Sequence, residues 1–191
     1  MYCMKSCVVA IMLGIFASPT LADELPKSKQ TKLGLYVSAA EAGQMLSKQE
    51  AVLVDIRSRA EVGFLGLPTS AAHIPYMVMP MMADYNSEKG SYDLELNPDF
   101  PSDFKAYAEA KGLSKASPII LMCRSGSRSA RAADLLADLG YTKVYSMTDG
   151  YEGDKVADGP HKGQRLVNGW RNAGLGWSYK ISAEQAYLAD Q

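Results

Sequence analysis

The stretch PIILMCRSGSRSARAADLLADLG, residues 118–140, constrains the fold more than any other part of the chain. It begins with the apolar run Pro118–Met122, which is typical of a buried parallel strand. It continues into an amphipathic segment, Ser127–Leu139, which predicts a helix that ends at Gly140. Because a strand that leads directly into a helix is the repeating unit of parallel sheets, this stretch predicts an α/β fold.

The same alternation of strands and helices runs through most of the chain. Capping boxes, in which glutamate follows serine by three residues, predict helices that begin at Ser38–Glu41 and Ser58–Glu61. The other predicted elements are strands at Gly34–Val37, Ala51–Ile56, Ala71–Pro75 and Lys143–Met147, a helix at Ser102–Lys111 and a polar loop at 84–101. This pattern predicts one domain, residues 34–180, with an open, mainly parallel sheet and helices on both faces.

The first 22 residues have the pattern of a secretory signal peptide. Lys5 precedes the apolar stretch Val8–Ala17, and Thr20-Leu21-Ala22 precedes the expected cleavage point. The apolar stretch is short for a bilayer span, which favours cleavage after Ala22 over an uncleaved anchor. We therefore expect a periplasmic protein without stable membrane association, in which a loose polar lead-in (23–33) precedes the domain and a tail (181–191) follows it.

The number of cysteines makes Cys123 the most informative side chain. Cys3 and Cys7 lie in the predicted signal peptide, so the mature chain would keep Cys123 alone and form no internal disulfide. Exported proteins usually pair their cysteines. An unpaired thiol in an oxidising compartment is either buried and inert or reactive and functional.

The sequence around Cys123 favours a reactive sulfur. Cys123 falls at the carboxyl end of a predicted strand, where open α/β sheets bind ligands. In the loop Arg124-Ser125-Gly126-Ser127-Arg128, Gly126 permits a positive φ, and successive N–H groups can converge on an anion. The following helix N-terminus and the two arginines add positive charge, which could hold an anionic substrate. These surroundings predict a nucleophilic, anionic sulfur on Cys123.

Four segments of the chain, within roughly Gly34–Trp177, resemble the rhodanese domain, a sulfurtransferase fold. They are LVDIRSRAEVGFLG (53–66), AAHIPYMVMP (71–80), the active-loop and helix segment that begins at Cys123, and NGWRNAGLGW (168–177). The resemblance implies that Cys123 takes the outer sulfur of a donor such as thiosulfate and passes it, as a persulfide, to a thiol or cyanide. It also implies that Asp55 and Arg57 support the loop, and that neither a cofactor nor a metal takes part.

The length of the loop separates sulfur transfer from its main enzymatic alternative. Related cysteine phosphatases have a seven-residue Cys-x5-Arg loop that surrounds a phosphate, whereas Cys123 and Arg128 close a six-residue Cys-x4-Arg loop. The shorter loop suits a single sulfur atom and favours sulfurtransferase over phosphatase activity. A persulfide carrier or regulatory binding module with little turnover remains a further alternative, because the loop does not identify the recipient of the sulfur.

Other candidate groups have simpler structural interpretations. The four methionines of YMVMPMM (76–82) could hold Cu(I), but methionine more commonly fills apolar gaps. We expect His73 to be structural and His161 to lie in a solvated loop, and these residues give no zinc pattern.

Two segments depart from the family pattern and are expected to border the active site. They are the long connection Met77–Pro101 and the hydrophilic insertion Asp154–Asn168, and both could alter substrate choice. The expected partners are a small anionic sulfur donor and a thiol acceptor, which could be a protein. The formal net charge of −1 gives no indication of a nucleic-acid partner.

Overall fold

The computed structural model describes residues 25–188, and a five-stranded sheet forms its centre. In chain order the strands are β1 (Tyr36–Val37), β2 (Val52–Asp55), β3 (Leu67–Pro68), β4 (Ala71–His73), β5 (Met77–Val78), β6 (Tyr85–Asn86), β7 (Ser91–Tyr92), β8 (Glu95–Leu96), β9 (Ile119–Met122), β10 (Val144–Met147) and β11 (Trp177–Ser178). The central sheet has the order β1-β10-β9-β2-β4, and all its neighbouring strands are parallel. The predicted α/β fold with an open parallel sheet is confirmed.

Capping determines where the first two helices begin. The helices are α1 (Ala39–Ser47), α2 (Arg59–Leu65), α3 (Phe100–Ala110) and α4 (Ser127–Asp138). Both predicted capping boxes are present: the hydroxyl oxygens of Ser38 and Ser58 accept hydrogen bonds from the N–H groups of Glu41 and Glu61. Each glutamate carboxylate accepts a bond from its serine N–H in return. These bonds satisfy N–H groups that a helix N-terminus otherwise leaves unpaired.

Helices cover both faces of the sheet. Alternate residues of β9 point to opposite faces, so Ile119 and Leu121 pack with α3 and α4, whereas Ile120 and Met122 pack with α1. The helices contribute Phe100, Phe104, Ala108, Ala132, Ala133 and Leu136 to the first face and Ala39 and Ala42 to the second. Because β9 is buried on both faces, it appears in the sequence as a continuous apolar run.

The register between β2 and β9 brings the predicted site residues to one edge of the sheet. Asp55 is the Cα partner of Met122, and the N–H of Ile56 donates to the carbonyl of Met122 at 2.9 Å. The chain therefore leaves β2 and β9 side by side. Cys123 follows β9 at this edge, which is the edge where open parallel sheets bind ligands.

The connection between β4 and α3 has more structure than the predicted loop over residues 84–101. Strands β6 and β7 form an antiparallel hairpin, and β8 pairs with β5. Helix α3 begins at Phe100 rather than at Ser102, with Pro101 in its first turn. Proline is compatible with that position, because the first N–H groups of a helix have no intrahelical acceptor.

The described part of the polar lead-in, residues 25–33, is fixed to α4 rather than loose. Lys27–Lys29 forms a 3-10 turn. The N–H of Lys32 donates to a carboxylate oxygen of Asp134 at 2.7 Å, and its ammonium group pairs with Asp138. The polar composition suggested a segment without fixed contacts. Its contacts with Asp134 and Asp138 on α4 instead hold it in place.

The described part of the C-terminal tail covers the edge strand β4. The side-chain amide of Gln185 donates to the carbonyl oxygens of Pro68, Thr69 and Ala71. The N–H of His73 donates to the carbonyl of Gln185 at 3.2 Å. These bonds satisfy backbone groups that an edge strand would otherwise leave open to other chains.

The predicted signal peptide, the cleavage point after Ala22 and the mature N-terminus at Asp23 lie outside the described residues. Between residues 25 and 188, the helices are too short or too polar to cross a bilayer.

Candidate active site

Cys123 directly follows β9 and is the first residue of the loop 123–128, the Cys123 loop. Only 1% of its surface is exposed. Its Sγ atom accepts a hydrogen bond from the N–H of Gly126 at 3.2 Å. The loop thus turns back on its own first residue and directs a backbone donor at the sulfur. This donor would stabilise negative charge on the sulfur, as the sequence predicts.

Gly126 occupies a position that another residue could not take without rearrangement. Its φ is +103°, in the left-handed region, and it lies directly before the first residue of α4. A Cβ atom here would lie 2.2 Å from the carbonyl oxygen of Thr148, which follows β10. The turn that aims the Gly126 N–H at the sulfur therefore requires a residue without a Cβ atom, which is glycine.

Ser129, in the first turn of α4, is a second polar neighbour of the sulfur. Its Oγ lies 3.6 Å from Cys123 Sγ and donates to the carbonyl of Gly126 at 2.8 Å. The hydroxyl of Ser146, on β10, donates to Ser129 Oγ at 3.2 Å. Both serines are fully buried. Sequence analysis did not select Ser129, although its place directly after Arg128 was a usable signal.

The loop that follows β10 holds the other side of the Cys123 loop. The N–H groups of Tyr151 and Glu152 donate to the carbonyl oxygens of Cys123 and Arg124 at 2.8 and 3.0 Å. Gly150 makes this contact possible, because a Cβ atom there would lie 2.6 Å from the Cys123 carbonyl oxygen. Sequence analysis missed Gly150 and Tyr151, although glycine at the carboxyl end of a parallel strand was a signal for close backbone approach.

The two loop arginines occupy different environments. Arg124 is half exposed, and its Nε lies 2.9 Å from a carboxylate oxygen of Glu152. Arg128 is largely buried, and its two terminal nitrogens lie 2.7 and 2.6 Å from the two carboxylate oxygens of Glu61. Arg128 therefore ties the loop to α2, whereas Arg124 remains accessible to solvent.

Glu61 combines two roles, as capping residue of α2 and as partner of Arg128. Burial opposes its ionisation, but hydrogen bonds from Arg128 and Ser58 outweigh burial and hold the pKa of Glu61 at about 2. The pKa of Arg128 is raised by the same pairing, against the effect of burial. Glu61 was visible in sequence as part of a capping box, but its partner 67 positions away was not.

Asp55 and Arg57 form a fully buried ion pair under the site. The Nη2 and Nε atoms of Arg57 lie 2.5 and 2.9 Å from oxygens of Asp55, and Nη2 also donates to the carbonyl of Gly66. The guanidinium carbon lies 3.7 Å from the centre of the Tyr151 ring. Within residues 25–188, Arg57 Nη1 is buried without a hydrogen-bond partner. Arg57 therefore contacts the residue whose N–H holds the Cys123 carbonyl.

The remaining candidates lie elsewhere. His73 is buried, its Nε2 lies 2.8 Å from the carbonyl oxygen of Arg57, and burial lowers its pKa. His161 is exposed in the insertion. The methionines Met77, Met79, Met81 and Met82 range from half-buried to fully exposed. In the described part of the chain, no three His, Cys, Asp or Glu side chains come together as metal ligands.

Both segments that depart from the family pattern lie near the loop. Strands β5 to β7, from the connection Met77–Pro101, form one wall of a pocket that reaches Arg124 and Arg128. The insertion Asp154–Asn168 closes on itself, because the N–H of Asp154 donates to the side chain of Asn168 at 2.7 Å. Asp154 also pairs with Lys29, whose side chain lies next to Gly126.

Comparison with known proteins agrees with this fold. The sequence model of the rhodanese-like domain matches residues 38–157. The crystal structure of Rv0390 from M. tuberculosis has a TM-score of 0.54 and 30% sequence identity, over 75% of this chain and 96% of that chain.

Several curated proteins are similar in sequence. The uncharacterized protein RC0915 of Rickettsia conorii is 28% identical over 135 residues, which cover 71% of this chain and 89% of that protein. The thiosulfate sulfurtransferase GlpE of Tolumonas auensis is 42% identical over 41 residues, which cover 22% of this chain and 39% of that protein.

Proposed function

The chain belongs to the rhodanese-like family, and we propose that it is a sulfurtransferase that carries sulfur as a persulfide on Cys123. One observation carries this proposal: the N–H of Gly126 donates to Cys123 Sγ at 3.2 Å, at the carboxyl end of a central parallel strand. A persulfide is an anion, and the Gly126 N–H, which the loop already directs at Sγ, stabilises negative charge there without reorganisation. The named activity of the similar GlpE protein supports the same chemistry.

The reaction has two halves. First, the Cys123 thiolate attacks the outer sulfur of thiosulfate; the donor S–S bond breaks, sulfite leaves with the electron pair, and Cys123 carries a persulfide. Then a thiol acceptor, or cyanide, attacks the outer sulfur and regenerates the Cys123 thiolate. Arg124, which is half exposed, is the loop cation available to an anionic donor.

Phosphatase activity has less support. Arg128 closes the six-residue loop, but both of its terminal nitrogens bind Glu61. A phosphate would have to displace this bidentate pair to use Arg128 as a ligand. A persulfide carrier with little turnover shares the first half-reaction, so the rate of the second half-reaction distinguishes a carrier from an enzyme.

We also propose that the protein works in the periplasm after cleavage behind Ala22, without stable membrane association. Lys5, the apolar stretch Val8–Ala17 and the small residue at position 22 support export. Sequencing the N-terminus of protein recovered from the periplasm should give Asp23. An N-terminus at Met1 would contradict this part of the proposal.

Mass spectrometry of Cys123 tests the sulfurtransferase proposal. Protein incubated with thiosulfate and freed of excess donor should gain the mass of one sulfur atom on the Cys123 peptide. Addition of cyanide should remove this mass and release thiocyanate, turnover after turnover. Cys123→Ser should do neither and remain folded, because serine has a similar size but does not ionise near neutral pH. Sulfur transfer by Cys123→Ser would refute the proposal.

A further inference from the structure

A pocket of about 630 Å³ adjoins the Cys123 loop. It lies between the start of α2, strand β5 and the β6–β7 hairpin, and it reaches the loop at Arg124 and Arg128. This volume is in the range of sites that bind organic molecules of moderate size, about 300–1,000 Å³. It far exceeds what a small inorganic anion such as thiosulfate fills.

The walls of the pocket are mainly apolar and aromatic. Met77 and Met79 line one part, and Tyr85 and Tyr92 line another. The two tyrosine rings meet edge to face, with centroids 6.3 Å apart, and 66% and 62% of the two residues remains exposed. Exposed aromatic rings beside a reactive loop favour a ligand that has an apolar or aromatic part.

One cation at the rim of the pocket has no acidic partner among residues 25–188. Arg124, Arg128 and Lys89 are paired with Glu152, Glu61 and Asp93. Arg131, which is exposed, lies within 4 Å of no carboxylate oxygen in residues 25–188; its Nη2 contacts Met77 Sδ at 3.6 Å. A thioether is a weak acceptor, so the Arg131 guanidinium keeps its capacity to bind a carboxylate through two parallel hydrogen bonds.

We propose that this pocket binds the sulfur acceptor, and that the acceptor is a small peptide-like thiol with an apolar or aromatic side chain and a carboxylate. The proposal rests on the proposed function. Arg131 binds the carboxylate, and the rings of Tyr85 and Tyr92 contact the apolar part.

The transfer step balances without an oxidant. The acceptor thiol loses its proton to solvent, and its thiolate attacks the outer sulfur of the Cys123 persulfide. A new S–S bond forms on the acceptor, the bond between Sγ and the outer sulfur breaks, and its electron pair returns to Cys123. The products are the acceptor persulfide and the Cys123 thiolate.

Three matched dipeptides test the proposal. Acetyl-Cys-Phe contains the thiol, the aromatic ring and the carboxylate; its C-terminal amide lacks the charge, and acetyl-Cys-Gly lacks the ring. We expect wild-type protein to use acetyl-Cys-Phe with a kcat/KM about tenfold higher than that of either analogue. Equal use of acetyl-Cys-Phe and its amide would overturn the proposal.

Variants of the pocket residues test which side chains cause the preferences for the carboxylate and for the aromatic ring. Arg131→Gln should remove the preference for the carboxylate, and Tyr85→Ser should reduce the preference for the ring. Both should leave sulfur transfer to cyanide within about twofold of wild type, since cyanide needs no pocket. Lys105→Gln removes a similar surface charge on α3 and should change none of these ratios. An unchanged carboxylate preference in Arg131→Gln would contradict the role of Arg131.

A binding measurement separates failure of this proposal from failure of the proposed function. S-Methyl acetyl-Cys-Phe cannot accept sulfur, but it should bind wild-type protein about tenfold more tightly than Arg131→Gln in a calorimetric titration. If Cys123 acquires no sulfur from thiosulfate, the proposed function fails, whereas this titration still tests the pocket. Equal affinity of the two proteins would refute the pocket assignment.

Discussion

The carbonyl oxygen of Cys123 accepts a 2.8 Å hydrogen bond from the N–H of Tyr151, so the loop after β10 fixes the backbone of the reactive residue. Gly150 permits this approach, since any Cβ atom would collide with the Cys123 loop. Arg57 lies under the Tyr151 ring, 3.7 Å from its centre. The position of the sulfur thus depends on three separate segments of the chain.

Gly150→Ala tests the close approach. A Cβ atom at this position would lie 2.6 Å from the Cys123 carbonyl oxygen and from the Ser125 nitrogen, so the loop must move. We expect sulfur transfer to fall at least about a hundredfold, because small displacements of reacting groups have effects of this size. Thiocyanate formation from thiosulfate and cyanide measures the loss.

Gly112→Ala is the matched control for Gly150→Ala. Gly112 has a φ of +64°, against +65° for Gly150, but a Cβ atom there meets no atom of the described residues within 4 Å. The control therefore carries the cost of a positive φ, about 1 kcal/mol, without the collision. It should lose some stability and keep full activity. Equal activity of the two variants would show that contact with Gly150 does not position Cys123.

Ser129→Ala tests the second polar neighbour of the sulfur. It removes the hydroxyl 3.6 Å from Cys123 Sγ and leaves the Gly126 N–H in place. We expect the rate of Cys123 alkylation by iodoacetamide at pH 7 to fall about threefold to tenfold, since the Ser129 hydroxyl holds the carbonyl of Gly126, the residue whose N–H donates to the sulfur. Ser146→Ala is the control, because its hydroxyl contacts Ser129 and not the sulfur. A slower reaction in Ser146→Ala than in Ser129→Ala would contradict this assignment.

The sequence predicts the sheet, the starts of α1, α2 and α4 and the Cys123 loop because these features are local. A buried apolar run, a capping box and a glycine turn each lie within a few residues of chain. The contacts of Tyr151 with Cys123 and of Arg128 with Glu61 join residues 28 and 67 positions apart, and no local pattern encodes such a pairing. The hairpin at Tyr85–Tyr92 escaped prediction because its strands are two residues long and lie in a polar, loop-like composition.

The pair of Glu61 and Arg128 makes stability depend on pH. The pKa of Glu61 is about 2 in the folded protein against an ordinary value of 4.5, so its contribution is fully present above pH 4.5 and is lost as the pH falls towards 2. Glu61→Gln should lower the free energy of unfolding by about 2 kcal/mol at pH 7. This difference from wild type should shrink steadily below pH 4.5. Urea unfolding between pH 3 and pH 7 measures it.

Glu109→Gln is the control for this pH dependence. Glu109 pairs with Lys105 at 3.8 Å, and both side chains are exposed. The free energies of unfolding of Glu109→Gln and wild type should therefore differ little at every pH. A stability difference in Glu61→Gln that stays constant from pH 3 to pH 7 would show that the loss does not come from ionised Glu61.

Arg57→Met tests the buried pair beneath the site. It leaves the Asp55 carboxylate buried without its counter-charge, and such changes cost about 3–5 kcal/mol. Adding Asp55→Asn to Arg57→Met removes the unpaired Asp55 carboxylate. This double variant should therefore unfold at a higher urea concentration than Arg57→Met. Lys32→Met removes a cation from an exposed pair and should leave the urea midpoint close to wild type.

The double variant also separates stability from positioning of the sulfur. Its fold should be largely recovered, but the Tyr151 ring would still lack the guanidinium that lies 3.7 Å from its centre. Because the Tyr151 N–H holds the Cys123 carbonyl, we expect slower alkylation of Cys123 and slower sulfur transfer in the folded double variant. Wild-type rates in that variant would mean that Asp55 and Arg57 support the fold alone and do not act on Cys123 through Tyr151.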